Sequence, residues 1–133
     1  RSIADGSFFE NAAFAGVMDA VRTNGRALHL LGIVSHYSSH GTIDHLFALL
    51  EMARRRTLDR VFIHGLIGRR GERPESGAIY AAKVIDRARE IGCGELVTVM
   101  GRHWALDREE NWDRVEKSYR ALVLGDGRLA GPD

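Results

Sequence analysis

Residues 27–35 read ALHLLGIVS, and this stretch decides the fold. It is short and apolar at successive positions, not at alternate ones. A strand covered on both faces looks like that, and such strands belong to parallel sheets. The pattern returns twice, as RVFIHGLI at 60–67 and ELVTVM at 95–100. Between these runs the periodicity changes to helical. Ile43, Leu46, Phe47 and Leu50 form one apolar stripe of a helix ending near Arg56. Thr42 is placed to cap its start, and Arg54–Arg56 crowd its last turn, where cations suit the helix dipole. Ser76 is read as the cap of a further helix through Ile91, packed by Ala78, Ala81, Ala82, Val84, Ile85 and Ala88.

Outside this block, Phe14, Val17, Met18 and Val21 give helical spacing over Asn11–Arg22, and a last helix is read from about Asn111 to Leu124. The segment GDGRLAGPD, 125–133, reads as a flexible end. The order is therefore β-loop-α three times, preceded by one helix. Alternation of this kind gives a parallel sheet with right-handed crossovers. The expected fold class is α/β: one domain over 1–133, three-layer αβα, with a small sheet of three strands and helices on both faces.

The chain has 133 residues, enough to bury a core without disulfides or metals. A formal net charge of +1 gives only a weak overall field, which argues against a nucleic-acid partner. The single cysteine, Cys93, excludes a disulfide framework and fits a reduced, cytoplasmic setting. No secretory leader is visible, and no apolar run is long enough for a bilayer, so no membrane partner is expected.

In open α/β sheets, ligands bind beyond the carboxyl ends of the strands. Three loops leave those ends here. The first holds Ser35, His36, Ser38, Ser39 and His40. The second holds His64, Arg69, Arg70, Glu72, Arg73 and Glu75, and the third holds Arg102, His103, Asp107 and Arg108. Guanidinium groups and helix starts near Thr42, Ser76 and Asn111 together make an anion site, suited to a phosphorylated acid. His36, His40 and His45 lack the compact geometry of a zinc set, so no metal is expected within this chain. His29 reads as packed core, His45 as capping or packing at a helix start, and His40 as the ligand contact. Cys93 falls in a turn on the far edge, away from any nucleophilic role. Trp104 and Trp112 flank the third loop and read as its wall.

The stretches HLLGIVS, IDHLFALLEMA, RVFIHGLI and VTVMGRHWALDREENWDRVEKSYRALVLGDG closely resemble the metal-dependent, 2,3-bisphosphoglycerate-independent phosphoglycerate mutases. The resemblance runs from about Phe8 to Gly127, and MGRHWALDR with the following NWDRVEKSY is its most specific part. It implies the early part of that family's transferase domain, which holds glycerate while phosphate moves between its hydroxyls through a phosphoserine. A phosphatase-like domain carrying manganese and the serine nucleophile is then the partner within the same enzyme. Neither that domain's motifs nor the later R-A-D-R segment occurs in these residues. This chain alone is therefore expected to be inactive.

Residue by residue, His40 matches the histidine of the family's S-D-G-G-V-H-S-H motif. Arg102 and Arg108 match the arginines of its M-G-R and M-D-R motifs, and Arg70 the arginine of D-G-R-D. These four are the substrate-binding residues that the resemblance implies. Two departures accompany them. His36, Tyr37 and Ser38 replace D-G-G, and Gly68, Arg69, Arg70 and Gly71 replace D-G-R-D. Gly71 cannot handle a substrate hydroxyl proton, and loss of a positioned base removes about 100- to 10,000-fold in rate. The expected ligand is phosphoglycerate or a similar phosphorylated acid. The alternatives are a divergent relative acting on another small phosphate or phosphonate, and a non-catalytic phosphoglycerate-binding module.

Overall fold

The computed structural model describes residues 1–36, 41–68, 73 and 75–130. Three strands, β1 (Leu28–Ile33), β2 (Val61–Ile67) and β3 (Glu95–Gly101), form one sheet in the order β1-β2-β3. Both pairings are parallel. Around the sheet lie α1 (Ser2–Asp5), a 3-10 turn (Ser7–Glu10), α2 (Ala12–Thr23), α3 (Ile43–Arg55), α4 (Ser76–Ile91), α5 (Arg102–Ala105) and α6 (Trp112–Val123). This is the α/β arrangement expected, with helices around a three-stranded parallel sheet.

Register sorts the strand residues onto two faces, because partners in a parallel pair point the same way. Leu28 faces with Val61, and Leu30 with Ile63 and Leu96. That face packs against α3 and α4: Leu50, Met52, Ala53, Val84 and Ala88 are buried in the same cluster. Gly94 makes the turn from α4 into β3 at φ 97°, and a Cβ there would stand 2.6 Å from Leu50 Cδ2. Only glycine meets both the backbone and the packing demand. The other face carries His29, Phe62, His64, Leu66, Thr98 and Met100. α5 and α6 pack against β3, and α6 buries none of its residues fully.

Helix α2 is capped by Asn11, whose side chain accepts from Ala13 N and Phe14 N. Elsewhere the caps differ from expectation. Thr42 precedes α3 without a side-chain cap bond. Ser76 is the first residue of α4, with Glu75 before it, and its hydroxyl donates back to the Arg73 carbonyl at 2.7 Å. Asn111 precedes α6 but makes no cap bond there, because its amide is engaged with Asp107. The short helix α5 was not anticipated; its four residues are too few to display a periodicity. Gly125–Ala130 carry no helix or strand.

Three placements correct the sequence reading. His29 is exposed, since β1 lies at the edge of the described sheet and leaves one side of that ring to solvent. His64 is not a loop residue: it lies in the middle of β2, buried in the central strand. Trp112 stays 70% exposed, so only Trp104 packs the third loop. Cys93 is buried. Its thiol donates to the Leu58 carbonyl, and burial pushes its pKa up, which keeps it a thiol.

Candidate functional site

The three loops do leave one rim. Past β1 the ladder extends by one bond, Val34 N to Leu66 O at 2.9 Å. The buried Ser35 then accepts Ile43 N through its carbonyl at 2.9 Å. That bond ties together the two ends of the loop that contains His40. The second loop leaves at Gly68, whose φ of 92° turns the chain sharply off β2. It re-enters at α4, where Ser76 N donates to Arg73 O at 3.0 Å. The third loop begins with Arg102 at the end of β3. His40 and Arg70 lie outside the described residues, as do Tyr37–Ser39, Arg69 and Gly71–Glu72.

Arg102 is the one candidate with a described contact across the rim. Gly101 keeps extended backbone at φ −72° and ψ 144°, so the strand alternation carries Arg102 to the side of Thr98 and Met100. Its stem crosses the end of β2: a Cβ on Gly68 would lie 3.5 Å from Arg102 Cγ. With no side chain at 68, the aliphatic stem of Arg102 lies close over that backbone, and the residue as a whole is exposed.

Arg108 sits on the loop between α5 and α6, and this loop is wound around one carboxylate. Asp107 accepts from Glu109 N at 3.1 Å, Asn111 N at 2.9 Å, Asn111 Nδ2 at 2.9 Å and Arg114 at 3.2 Å. Its side chain is 4% exposed. The Asn111 side-chain amide, and then its backbone N–H, hold the carboxyl below the usual carboxylate range. Lys117 of α6 lies 4.2 Å from the Trp104 ring centroid, and His103 meets the same ring edge-on. Asp107 and Trp104 thus fasten the loop to α6, while Arg108 itself is exposed. Among the described residues neither Arg102 nor Arg108 pairs with a carboxylate, whereas Arg114 and Arg56 do. Both are open to an incoming anion. Sequence reasoning missed Asp107 as the organiser; the signal was an Asp four residues ahead of an Asn at a helix start.

With the rim in view, the relatives fit. The model of the family described as the BPG-independent PGAM N-terminus matches residues 1–132. The chain belongs to this family. It is 47% identical over 130 residues to the 2,3-bisphosphoglycerate-independent phosphoglycerate mutase of Moorella thermoacetica, covering 98% of this chain and 25% of that protein. The mutase of Syntrophotalea carbinolica is 44% identical over 126 residues, covering 95% and 24%. Among solved structures, Leishmania mexicana phosphoglycerate mutase, studied at low cobalt concentration, superposes with a TM-score of 0.82 at 25% identity, over 96% of this chain and 24% of that one. The chain therefore spans about a quarter of the length of the mutases it matches. Among the described residues, no three His, Cys, Asp or Glu side chains group to hold a metal ion. No described helix is long and apolar enough to cross a membrane.

Proposed function

We propose that this chain is the substrate-holding part of a 2,3-bisphosphoglycerate-independent phosphoglycerate mutase, an isomerase that interconverts 3-phosphoglycerate and 2-phosphoglycerate in the complete enzyme. The ligand sits beyond the carboxyl rim, gripped by Arg102 and Arg108, with Arg70 and His40 from the neighbouring loops. The observation that carries this reading is Arg102 laid across Gly68 at the end of the central strand, exposed and with its guanidinium free of carboxylates among the described residues. Guanidinium forks suit both the carboxylate and the phosphate of phosphoglycerate. The role is positioning and charge, not bond-making. Metal ions and the nucleophile come from the remaining part of the same polypeptide, with manganese as the family's metal, and the setting is cytoplasmic.

Gly68 and Gly71 favour a second reading, a related small phosphate or phosphonate as substrate. Glycines stand where the resembled motif has carboxylates, and the resemblance assigns the substrate hydroxyl proton to the last of these, at position 71. Calorimetric titration of this chain with 3-phosphoglycerate, 2-phosphoglycerate and simple phosphonates separates the two. Under the mutase reading, Arg102→Ala and Arg108→Ala each weaken phosphoglycerate binding by about 1.5–3 kcal/mol, the range for hydrogen bonds to charged groups. Equal binding by parent and both variants would remove the site.

A further inference from the structure

A row of polar side chains crosses all three strands on the face that carries Arg102. His29 Nδ1 lies 2.9 Å from His64 Nε2, and His64 Nδ1 lies 2.8 Å from Thr98 Oγ1. The two imidazoles lie nearly parallel, 18° apart, with 5.2 Å between centroids, and Phe62 flanks His29. His64 is 8% exposed, in the central strand, where a polar ring without partners is costly. Two residues beyond His64 and Thr98 on the same face stand Leu66 and Met100, and two beyond those stand Gly68 and Arg102.

We propose that His64 is a positioning residue for this site: when neutral it links β1, β2 and β3 through His29 and Thr98, and a proton on each ring breaks that link and slackens the rim. The proposal rests on the reading of Arg102 as an anion contact. The proton count explains the sensitivity. With both rings neutral, the Thr98 hydroxyl donates to His64 Nδ1, and His64 Nε2–H donates to His29 Nδ1. One added proton is accommodated by reversing the row: His29 Nδ1–H donates to His64 Nε2, and His64 Nδ1–H donates to Thr98 Oγ1. A second added proton leaves two N–H groups facing each other at the separation of a hydrogen bond, and the contact cannot hold.

Burial, and then the charge of His29, push the pKa of His64 down from its ordinary 6.5, so the row stays intact near neutrality. Two other ionisable groups share this face: Glu95, paired with Phe62 at the start of β3, and Arg102, beyond Met100. Arg114 and Lys117 of α6 are engaged with Asp107 and Trp104, and His103 of α5 meets Trp104 edge-on.

The test is an imidazole and amide NMR titration of the 133-residue chain from about pH 8 to about pH 5, across the ordinary histidine range. It is run on the parent, His29→Phe, Thr98→Val and Thr98→Ser, with 3-phosphoglycerate as the binding probe. The expected result is that the row takes up its two protons in separate steps and that the Gly68 and Arg102 amides shift with the second step, not the first. His29→Phe leaves a single step without that amide shift. Thr98→Val weakens 3-phosphoglycerate binding about three- to tenfold near neutrality, the size of one neutral hydrogen bond, and Thr98→Ser restores it. Comparing variant with parent at each pH cancels the ligand's own titration. Rim amides that ignore the histidine titration overturn the proposal, as does a folded Thr98→Val that binds like the parent. If the parent binds no phosphoglycerate, the mutase reading fails, while the amide shifts still decide whether the row positions the rim.

Discussion

Asp107 directs its carboxylate inward, to Asn111, Glu109 and Arg114, and leaves the neighbouring Arg108 at the surface. The acid end of the stability profile follows from that. Its folded pKa lies below the ordinary 3.8, so its contribution is fully present above that value and is lost as pH falls through the folded value. Asp107→Asn is therefore expected to lower Tm at neutral pH, with parent and variant converging in strong acid; thermal melts from neutrality down to acid check this. Parallel curves at every pH would show that the loop does not depend on the carboxylate. Gly68 supplies a second residue-level test. Its left-handed backbone disfavours any L side chain, at a cost of about 1–3 kcal/mol. Gly68→Asp, which restores the motif residue of the resembled family, should destabilise the chain by that order in urea unfolding. It would also place a carboxylate beside Arg102, so anion binding should fall as well. A gain in phosphoglycerate affinity would show that the loop re-forms around the acid.

The elements form where their sequences place them, but β1 and β3 leave Leu31, Val97 and Val99 exposed and so are not covered on both faces as their apolar runs implied. Leu50 is fully buried between α3 and the sheet, so Leu50→Ala should cost about 2–5 kcal/mol by urea denaturation, and a smaller loss would mean the core collapses around the gap. The strands were legible because VFIHGLI and its counterparts are apolar on both faces, and the long helices because their stripes run for three turns or more. α5 was illegible because four residues carry no period, and its presence follows from the packing of Trp104 and Lys117. The site was legible in kind: loops rich in arginine at the carboxyl rim. The supports beneath it were not. His64 looked like a loop residue because its strand ends only three residues later, and its two bonds reach residues 35 positions back and 34 positions ahead. No local pattern announces partners so far away. Asp107 was legible only as the residue before Arg108, since its bonding depends on how α5 turns the chain.

At the scale of the molecule, the division of labour predicts a plain biochemical result. The 133-residue chain should bind phosphoglycerate and show no interconversion of the 2- and 3-isomers by NMR. Joining it to the rest of the mutase polypeptide should restore turnover, and turnover by the chain alone would end the proposal that the chemistry lies elsewhere. The sheet itself has one further consequence. Its strands stand side by side in the order in which they are made, β1-β2-β3, and every crossover runs forward. A chain emerging from the ribosome therefore never waits for a central strand to arrive late. β1 and β2 can pair once both have left the ribosome and before β3 follows them out, an interval of order seconds at cellular elongation rates. The nascent domain grows outward from one margin, and each new unit finds its template already exposed.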